Sequence, residues 1–141
     1  MDPTAILYPS IAMFGLTLGV MLSLGLARYR AIHRGDVQIS YFRTYDEGSQ
    51  PPHLHRLARH VQNHFEIPPL FHIGVVLTFV SGSVTSFAVA LSWLFVATRC
   101  VHSYIHLGSN NVSRRFFTFG MSLVFLGGLW AALLYSLLST G

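Results

Sequence analysis

Residues 7–27 read LYPSIAMFGLTLGVMLSLGLA, an uninterrupted stretch without a charged side chain. A helix of about 20 apolar residues is long enough to cross a bilayer core about 30 Å thick. The stretch therefore predicts a membrane-spanning helix, and the next charged residue after it is Arg28. Because Arg28 and Arg30 follow the apolar residues instead of preceding them, the pattern favours a retained span over a cleaved signal peptide.

The composition also indicates a membrane protein. Hydrophobic residues make up 52% of the chain and charged residues only 10%, whereas a soluble domain carries about 25% charged residues. The mean hydropathy is +0.51. These values exclude an ordinary cytosolic enzyme, a disordered chain and a disulfide-stapled secreted module, and the single cysteine, Cys100, cannot form an internal disulfide.

Apolar segments recur along the 141 residues, and we predict one all-α integral membrane domain covering residues 1–141. The predicted helices lie at about residues 5–30, 54–80, 84–107 and 114–138, with a polar loop at about 31–53. Short connections make consecutive helices neighbours, so the expected architecture is an up-down four-helix bundle. Pro68 and Pro69 are expected to kink the second helix. Small residues are expected to let helices approach closely, namely Gly15, Gly19, Gly120, Gly127 and Gly128.

The basic residues are distributed unevenly about the predicted spans. All of them are arginines, and those in or beside the predicted loops lie on one side of the membrane: Arg28, Arg30, Arg34, Arg43, Arg56, Arg59, Arg114 and Arg115. The positive-inside rule places that side in the cytoplasm. Both termini are then expected in the periplasm or lumen, and a bacterial inner membrane is the expected location. We expect membrane lipids, and no nucleic acid, among the partners.

The second predicted helix carries a polar stripe at its cytoplasmic end. Arg59, Asn63 and Glu66 follow one another at i, i+4 and i+7, which places all three on one face of a helix. Charged residues at membrane depth usually face the interior of a bundle, because lipid contact costs roughly 2.5–3.5 kcal/mol for each charge. We therefore expect this stripe to face another helix.

The third predicted helix carries a matching stripe. Arg99, His102 and His106 lie at i, i+3 and i+7, near the same end of the membrane. Two such stripes on adjacent helices are expected to face each other, with Glu66 and Arg99 as an ion pair. The same pair is open to two interpretations, since it can set helix register as well as support a ligand site.

Histidine spacing raises a metal site as an alternative. His60 and His64, like His102 and His106, lie one helical turn apart, as metal ligands often do. Membrane histidine boxes usually hold more histidines in tighter clusters, and His60 and His64 fall off the polar stripe of their helix. We therefore expect no bound metal.

Residues 59–68, RHVQNHFEIP, are similar to an Arg-x-x-x-Asn-x-x-Glu-x-x-Pro signature, with the proline placed slightly differently. This signature is typical of the MAPEG family, the membrane-associated proteins of eicosanoid and glutathione metabolism. A second segment, which contains Arg99, His102 and His106 and is followed by Arg115, resembles the third-helix region of the prostaglandin-synthase-like members. The resemblance covers about residues 5–138 and is greatest to the small bacterial members.

The resemblance implies a homotrimer of four-helix subunits with glutathione bound in cytoplasm-facing clefts between subunits. It implies that Arg115 activates the glutathione sulfur, and we assign His106 to catalysis beside it. Arginine forks suit carboxylates, and a cation lowers the pKa of a thiol. The residues to which the resemblance assigns glutathione binding or its support are Arg28, Arg59, Asn63, Glu66, Arg99 and His102.

The chain departs from the family pattern at Gln62, His106, Phe116 and Phe119, where the family carries other, more polar contacts to the peptide. The sequence leaves two alternative functions open. The first is a glutathione-dependent transferase or peroxidase whose lipophilic small-molecule substrate enters from the bilayer. The second is a catalytically degenerate scaffold, or an accessory subunit of a larger membrane complex.

Overall fold

A computed structural model describes residues 2–45 and 49–140, so residues 46–48 of the predicted polar loop lie outside the described residues. Within that part of the chain every regular element is helical. The chain begins with a 3₁₀ turn at Pro3–Ile6, in which the Asp2 side chain accepts a hydrogen bond from the Thr4 amide. The helices are α1 (Leu7–His33), α2 (Tyr41–Thr44), α3 (Pro52–Glu66), α4 (Pro68–Val80), α5 (Ser86–Leu107) and α6 (Val112–Thr140).

Three helical segments are long and apolar enough to cross a membrane. They are Pro3–His33, Ser86–Leu107 and Val112–Ser139. The all-helical fold predicted from the recurring apolar segments is confirmed. None of these three segments corresponds to the helix expected at residues 54–80. The structure divides that helix into α3 and α4.

The division of the second predicted helix falls at Ile67. Pro68 and Pro69 have no backbone N–H, so the carbonyls of His64 and Phe65 lose the hydrogen bonds that a continuous helix would give them. Helix α3 therefore ends at Glu66, and α4 starts again at Pro68, where a proline fits the first turn. The polar half and the apolar half of this region become separate helices.

One apolar core joins the N-terminal turn with α1, α4, α5 and α6. At its centre the rings of Phe71 and Phe95 stack with their centroids 4.3 Å apart. Van der Waals packing of these side chains holds the four helices together, because lipid tails are as apolar as the core and leave no hydrophobic driving force between helices. The buried members are Ile6, Met13, Phe71, Val75, Ala88, Phe95, Val96, Leu126 and Leu129.

The C-terminal ends of α1 and α5 meet the N-terminal ends of α3 and α6 at one end of the molecule, which we call the basic end. A second apolar cluster there packs Ala31 of α1 against Leu54 of α3, together with Val37 of the loop and Tyr41 of α2. The alternation of helix directions brings the arginines of all four helices to this end.

A close approach of two helices at a glycine is found between α4 and α6. A Cβ atom at Gly74 would lie 3.1 Å from Nε1 of Trp130. The same indole nitrogen donates a hydrogen bond to the carbonyl of Leu70, at 3.3 Å. Gly74 thus lets an aromatic ring lie directly on the backbone of α4.

Of the glycines predicted to mediate helix packing, only some contact another helix of the same chain. A Cβ at Gly128 would contact the side chain of Leu91 at 3.3 Å, so this glycine does face a neighbouring helix. The predicted packing face on α1 is not used inside the chain. No atom lies within 4 Å of a Cβ built at any of the other four, Gly15, Gly19, Gly120 and Gly127.

We predict that Gly74→Val lowers the stability of the protein by about 1–3 kcal/mol, because the added methyl groups overpack the contact with Trp130. Gly127→Val is the matched control on α6, since its Cβ meets nothing within 4 Å. Thermal unfolding of both variants in detergent checks this. Equal melting temperatures would show that the α4–α6 contact is not tight.

Candidate functional site

A pocket of about 240 Å³ opens at the basic end, between α3, α5 and α6. Its walls include three residues that the sequence analysis assigns to glutathione, one from each helix. They therefore lie together in a single chain. The lining residues are Asn63, His102, Val112, Arg115, Phe116 and Phe119.

Arg115 is held at the pocket by the short connection between α5 and α6. Its Nη1 donates to Oδ1 of Asn110 at 2.7 Å, and Asn110 itself has a left-handed backbone with φ of 51°. The next residue, Asn111, accepts a hydrogen bond from the Arg114 amide at 3.0 Å, which caps the first turn of α6. The Nε of Arg115 is buried and has no partner.

His102 links α5 to α6 through its Nδ1. This nitrogen lies 3.2 Å from the carbonyl oxygen of Arg115 and 3.2 Å from Oγ1 of Thr118. A carbonyl oxygen only accepts hydrogen bonds, so the contact with Arg115 assigns the proton to Nδ1. The Nε2 of His102 then carries a lone pair, and it is buried without a partner.

Arg99 lies outside the pocket lining, although the sequence analysis assigns it to the ligand. Its side chain is fully buried, and Nη2 donates to the backbone carbonyl of Asn63 at 3.3 Å. The predicted ion pair with Glu66 is not a direct contact within one chain among the described residues, although the negative charge of Glu66 still acts on Arg99. Glu66 is exposed and accepts a hydrogen bond from Nε2 of Gln62 at 3.1 Å.

Helix α3 presents a different face to α5 from the one expected. His60 and His64 are buried, at 0% and 1% exposure, whereas Arg59 and Glu66 are exposed and Asn63 is half-buried. The expectation that the Arg59 stripe faces the interior is therefore wrong within one chain. A neutral imidazole costs less free energy to bury than a guanidinium or a carboxylate, so the histidine face turns inward.

The four histidines of α3 and α5 form one buried group, which we call the histidine cluster: His60, His64, His102 and His106. The ring centroid of His60 lies 4.8 Å from that of His64, 4.6 Å from that of His106 and 6.0 Å from that of His102. His106, assigned to catalysis, belongs to this cluster and does not line the pocket. Among the described residues, no group of three histidine, cysteine, aspartate or glutamate side chains is arranged to hold a metal ion.

Hydroxyl groups fix His64 within the cluster. Its Nδ1 lies 3.0 Å from Oγ1 of Thr17 on α1, and its Nε2 lies 3.4 Å from Oγ of Ser103 on α5. One imidazole thereby joins α1, α3 and α5. The sequence contains the two i, i+4 histidine pairs, but their mutual contact was missed because α3 was expected to show its other face to α5.

Arg28 is also outside the pocket lining. Its guanidinium carbon lies 5.1 Å from the ring centroid of Phe42 and 5.8 Å from that of Tyr45, which are cation–π distances. The aromatic side chains of the loop therefore hold the end of α1. Of the residues that the resemblance assigns, a single chain brings Asn63, His102 and Arg115 into the pocket and leaves the others outside it.

Several residues of the site were missed at the level of sequence. Val112 contributes to the pocket wall, and Asn110 and Thr118 hold Arg115 and His102 in place. An asparagine pair ahead of a helix is a recognisable capping signal, and it would have identified Asn110 and Asn111. Nothing in the local pattern marks Val112.

Comparison with known proteins agrees with these features. The family model described as the MAPEG family matches residues 6–135, nearly the whole chain. No match was found among curated proteins or among solved structures. The family consists of membrane proteins related to glutathione-dependent transferases and peroxidases. The resemblance noted at residues 59–68 is thereby confirmed, and the chain is an integral membrane protein that belongs to the MAPEG family.

Proposed function

We propose that this protein is a glutathione-dependent transferase or peroxidase that acts on a lipophilic substrate. The observation that carries the proposal is the convergence of Asn63, His102 and Arg115 on one pocket at the basic end. Three helices contribute one polar residue each, in a chain whose family uses glutathione.

Arg115 supplies the positive charge that this chemistry needs. A cation beside a thiol lowers the pKa of the thiol and increases the fraction of the nucleophilic thiolate. The guanidinium of Arg115, which lines the pocket, can donate to that sulfur or to a carboxylate of the tripeptide. The amide of Asn63 offers both a donor and an acceptor to the peptide backbone of glutathione.

His102 acts as a positioning residue. Its Nδ1–H bonds to the carbonyl of Arg115, so the imidazole fixes the first turn of α6 against α5 and with it the direction of the guanidinium. We therefore assign His102, and not His106, to the support of the reacting sulfur. His106 remains part of the buried contact between α3 and α5.

The apolar wall of the pocket suits the second substrate. Phe116 is 79% exposed and follows Arg115 directly, and Phe119 and Val112 extend the same wall. A lipophilic electrophile that arrives through the bilayer would contact these side chains with its reacting carbon near the sulfur. In the transferase reaction the thiolate forms a carbon–sulfur bond, and the leaving group departs with its electron pair.

We further propose that α1, the pair α3–α4, α5 and α6 form an up-down four-helix subunit of a homotrimer. The exposed charges of Arg59 and Glu66 support this, since they lie beside helices whose outer faces are apolar. A neighbouring chain that covers them would complete the site with Arg28 from its own α1. The basic end then faces the cytoplasm of a bacterial inner membrane, with both termini in the periplasm.

The second candidate is a degenerate scaffold or an accessory subunit of a larger membrane complex. The observation that favours it is the aromatic wall itself. Phe116 and Phe119 line the pocket at positions where the family pattern carries polar side chains, so fewer groups remain to bind a peptide.

We predict that the purified protein binds glutathione and that Arg115→Gln weakens binding by roughly 10- to 100-fold. A hydrogen bond from a charged donor contributes about 1.5–3 kcal/mol, which corresponds to that range. Isothermal titration calorimetry in detergent measures it. Arg114→Gln, an exposed arginine one residue away, is the matched control and should bind as the wild type does; absence of heat with the wild type would contradict the proposal.

We also predict turnover of a chlorodinitrobenzene-type probe by the protein reconstituted in liposomes, with loss of most activity in Arg115→Gln and little change in Arg114→Gln. The cationic guanidinium at the pocket is the physical reason. If the protein is a scaffold, the wild type should show no turnover. A native pull-down should then recover a stoichiometric partner protein, and the Arg115→Gln variant should still capture that partner.

A further inference from the structure

The segment between α1 and α3 lies against the end of α1. Tyr41 packs in one apolar cluster with Ala31 of α1, and Ala27 and Phe42 lie against the same cluster. The apolar segment Pro3–His33 has 31 residues. This length gives a helix about 46 Å long, whereas the hydrocarbon core of a bilayer is about 30 Å thick. The end of this helix therefore lies outside the hydrocarbon core, and the segment packed against it is placed at the depth of the lipid headgroups.

Two hollows adjoin on this segment at Ser40, which lines both of them. The first has a volume of about 390 Å³, and Asp36 lies in its wall. The second has a volume of about 410 Å³ and is lined by Ile39, Phe42 and Arg43. Neither hollow shares a lining residue with the pocket between α3, α5 and α6. One carboxylate and one guanidinium, both exposed, therefore open onto adjoining hollows.

The second hollow has an apolar wall beside its arginine. Ile39 is 73% exposed, which is unfavourable in water and favourable against the acyl chains of a lipid. The ring of Phe42 forms the rest of this wall, and the guanidinium carbon of Arg28 lies 5.1 Å from its centroid, so the ring is held in place. A lining that is apolar on one side and charged on the other matches a phospholipid, because a phospholipid carries both kinds of surface in one molecule.

The two opposite charges decide which headgroup fits. A guanidinium binds a phosphate through charge-assisted hydrogen bonds, and a carboxylate accepts hydrogen bonds from an ammonium group. An ethanolamine headgroup carries a phosphate and a primary ammonium. A choline headgroup has the positive charge but no N–H, and a phosphoglycerol headgroup has no positive charge and would be repelled by Asp36.

We propose that this segment binds phosphatidylethanolamine. Arg43 and the hydroxyl of Ser40 hold the phosphate, Asp36 holds the ammonium, and an acyl chain lies along Ile39 and Phe42. The bound lipid ties the segment between α1 and α3 to the bilayer surface. This site does not depend on whether glutathione binds.

The test measures thermal unfolding of the full-length protein in detergent with dioctanoyl phosphatidylethanolamine, phosphatidylcholine or phosphatidylglycerol at equal concentration. A ligand that binds only the folded state raises the melting temperature by mass action, and we expect the ethanolamine lipid to raise it by about 3–6 °C more than either of the others. Asp36→Asn should lose the difference between ethanolamine and choline lipids, and Arg43→Gln should lose most of the shift. Arg30→Gln, an exposed arginine on α1 that lines neither hollow, is the matched control and should keep it.

Native mass spectrometry of the wild type keeps the test decisive if a variant does not fold. Released from nanodiscs that contain equal amounts of the ethanolamine and choline lipids, the protein should retain several-fold more of the ethanolamine lipid. Equal retention, or equal melting temperatures with the two lipids, would overturn the proposal. A larger shift with phosphatidylglycerol would overturn it too, since the site would then recognise negative charge alone. The same holds if soluble glycerophosphoethanolamine matches the effect of the lipid, or if both variants keep the full ethanolamine effect.

Discussion

The break between α3 and α4 is the constraint on which the rest of the molecule depends. Pro68 and Pro69 cannot donate backbone hydrogen bonds, so a single helix cannot continue through Ile67. The polar α3 is thereby released from the direction of the apolar α4. Arg99 donates to the Asn63 carbonyl one turn before the break, which ties the end of α3 to α5 from the side.

This arrangement separates two kinds of polar residue. The imidazoles of His60 and His64 turn inward and meet α5, while Arg59 and Glu66 turn outward. The inward face fixes the contact between helices, and the outward face is left for a neighbour. At the same end, His102 bonds to the backbone carbonyl of Arg115, and Asn110 accepts a hydrogen bond from the Arg115 guanidinium. Packing and site therefore rest on the same few contacts.

Much of the fold could be predicted because a long apolar stretch without charges indicates a membrane-spanning helix. Residues 7–27 have no charge and must be covered by lipid or protein, and prolines at 68 and 69 must interrupt a helix. The rotation of α3 about its axis could not be predicted in the same way. Both the Arg59 stripe and the His60 stripe are polar, and only the relative cost of burying each one decides between them.

The site was predicted in part for a related reason. The resemblance to the family identifies Arg115 and His102 by their positions in the sequence, and both residues line the pocket. Arg99, His106 and Glu66 match the same motif, yet their placement depends on which face each helix presents. Spacing along one helix does not give the distance to a neighbouring helix. Glu66 therefore acts on Arg99 by its charge without the direct contact that was expected.

The central claim is that the pocket holds glutathione with its sulfur ionised by Arg115. Ultraviolet difference absorbance tests it most directly, because a thiolate absorbs where a thiol does not, and the ligand itself reports its protonation state. We expect a thiolate band to appear when glutathione is added to the purified protein near neutral pH, and we expect S-methyl glutathione, which has no ionisable thiol, to displace it. If saturating glutathione produces no thiolate band, Arg115 does not ionise the sulfur.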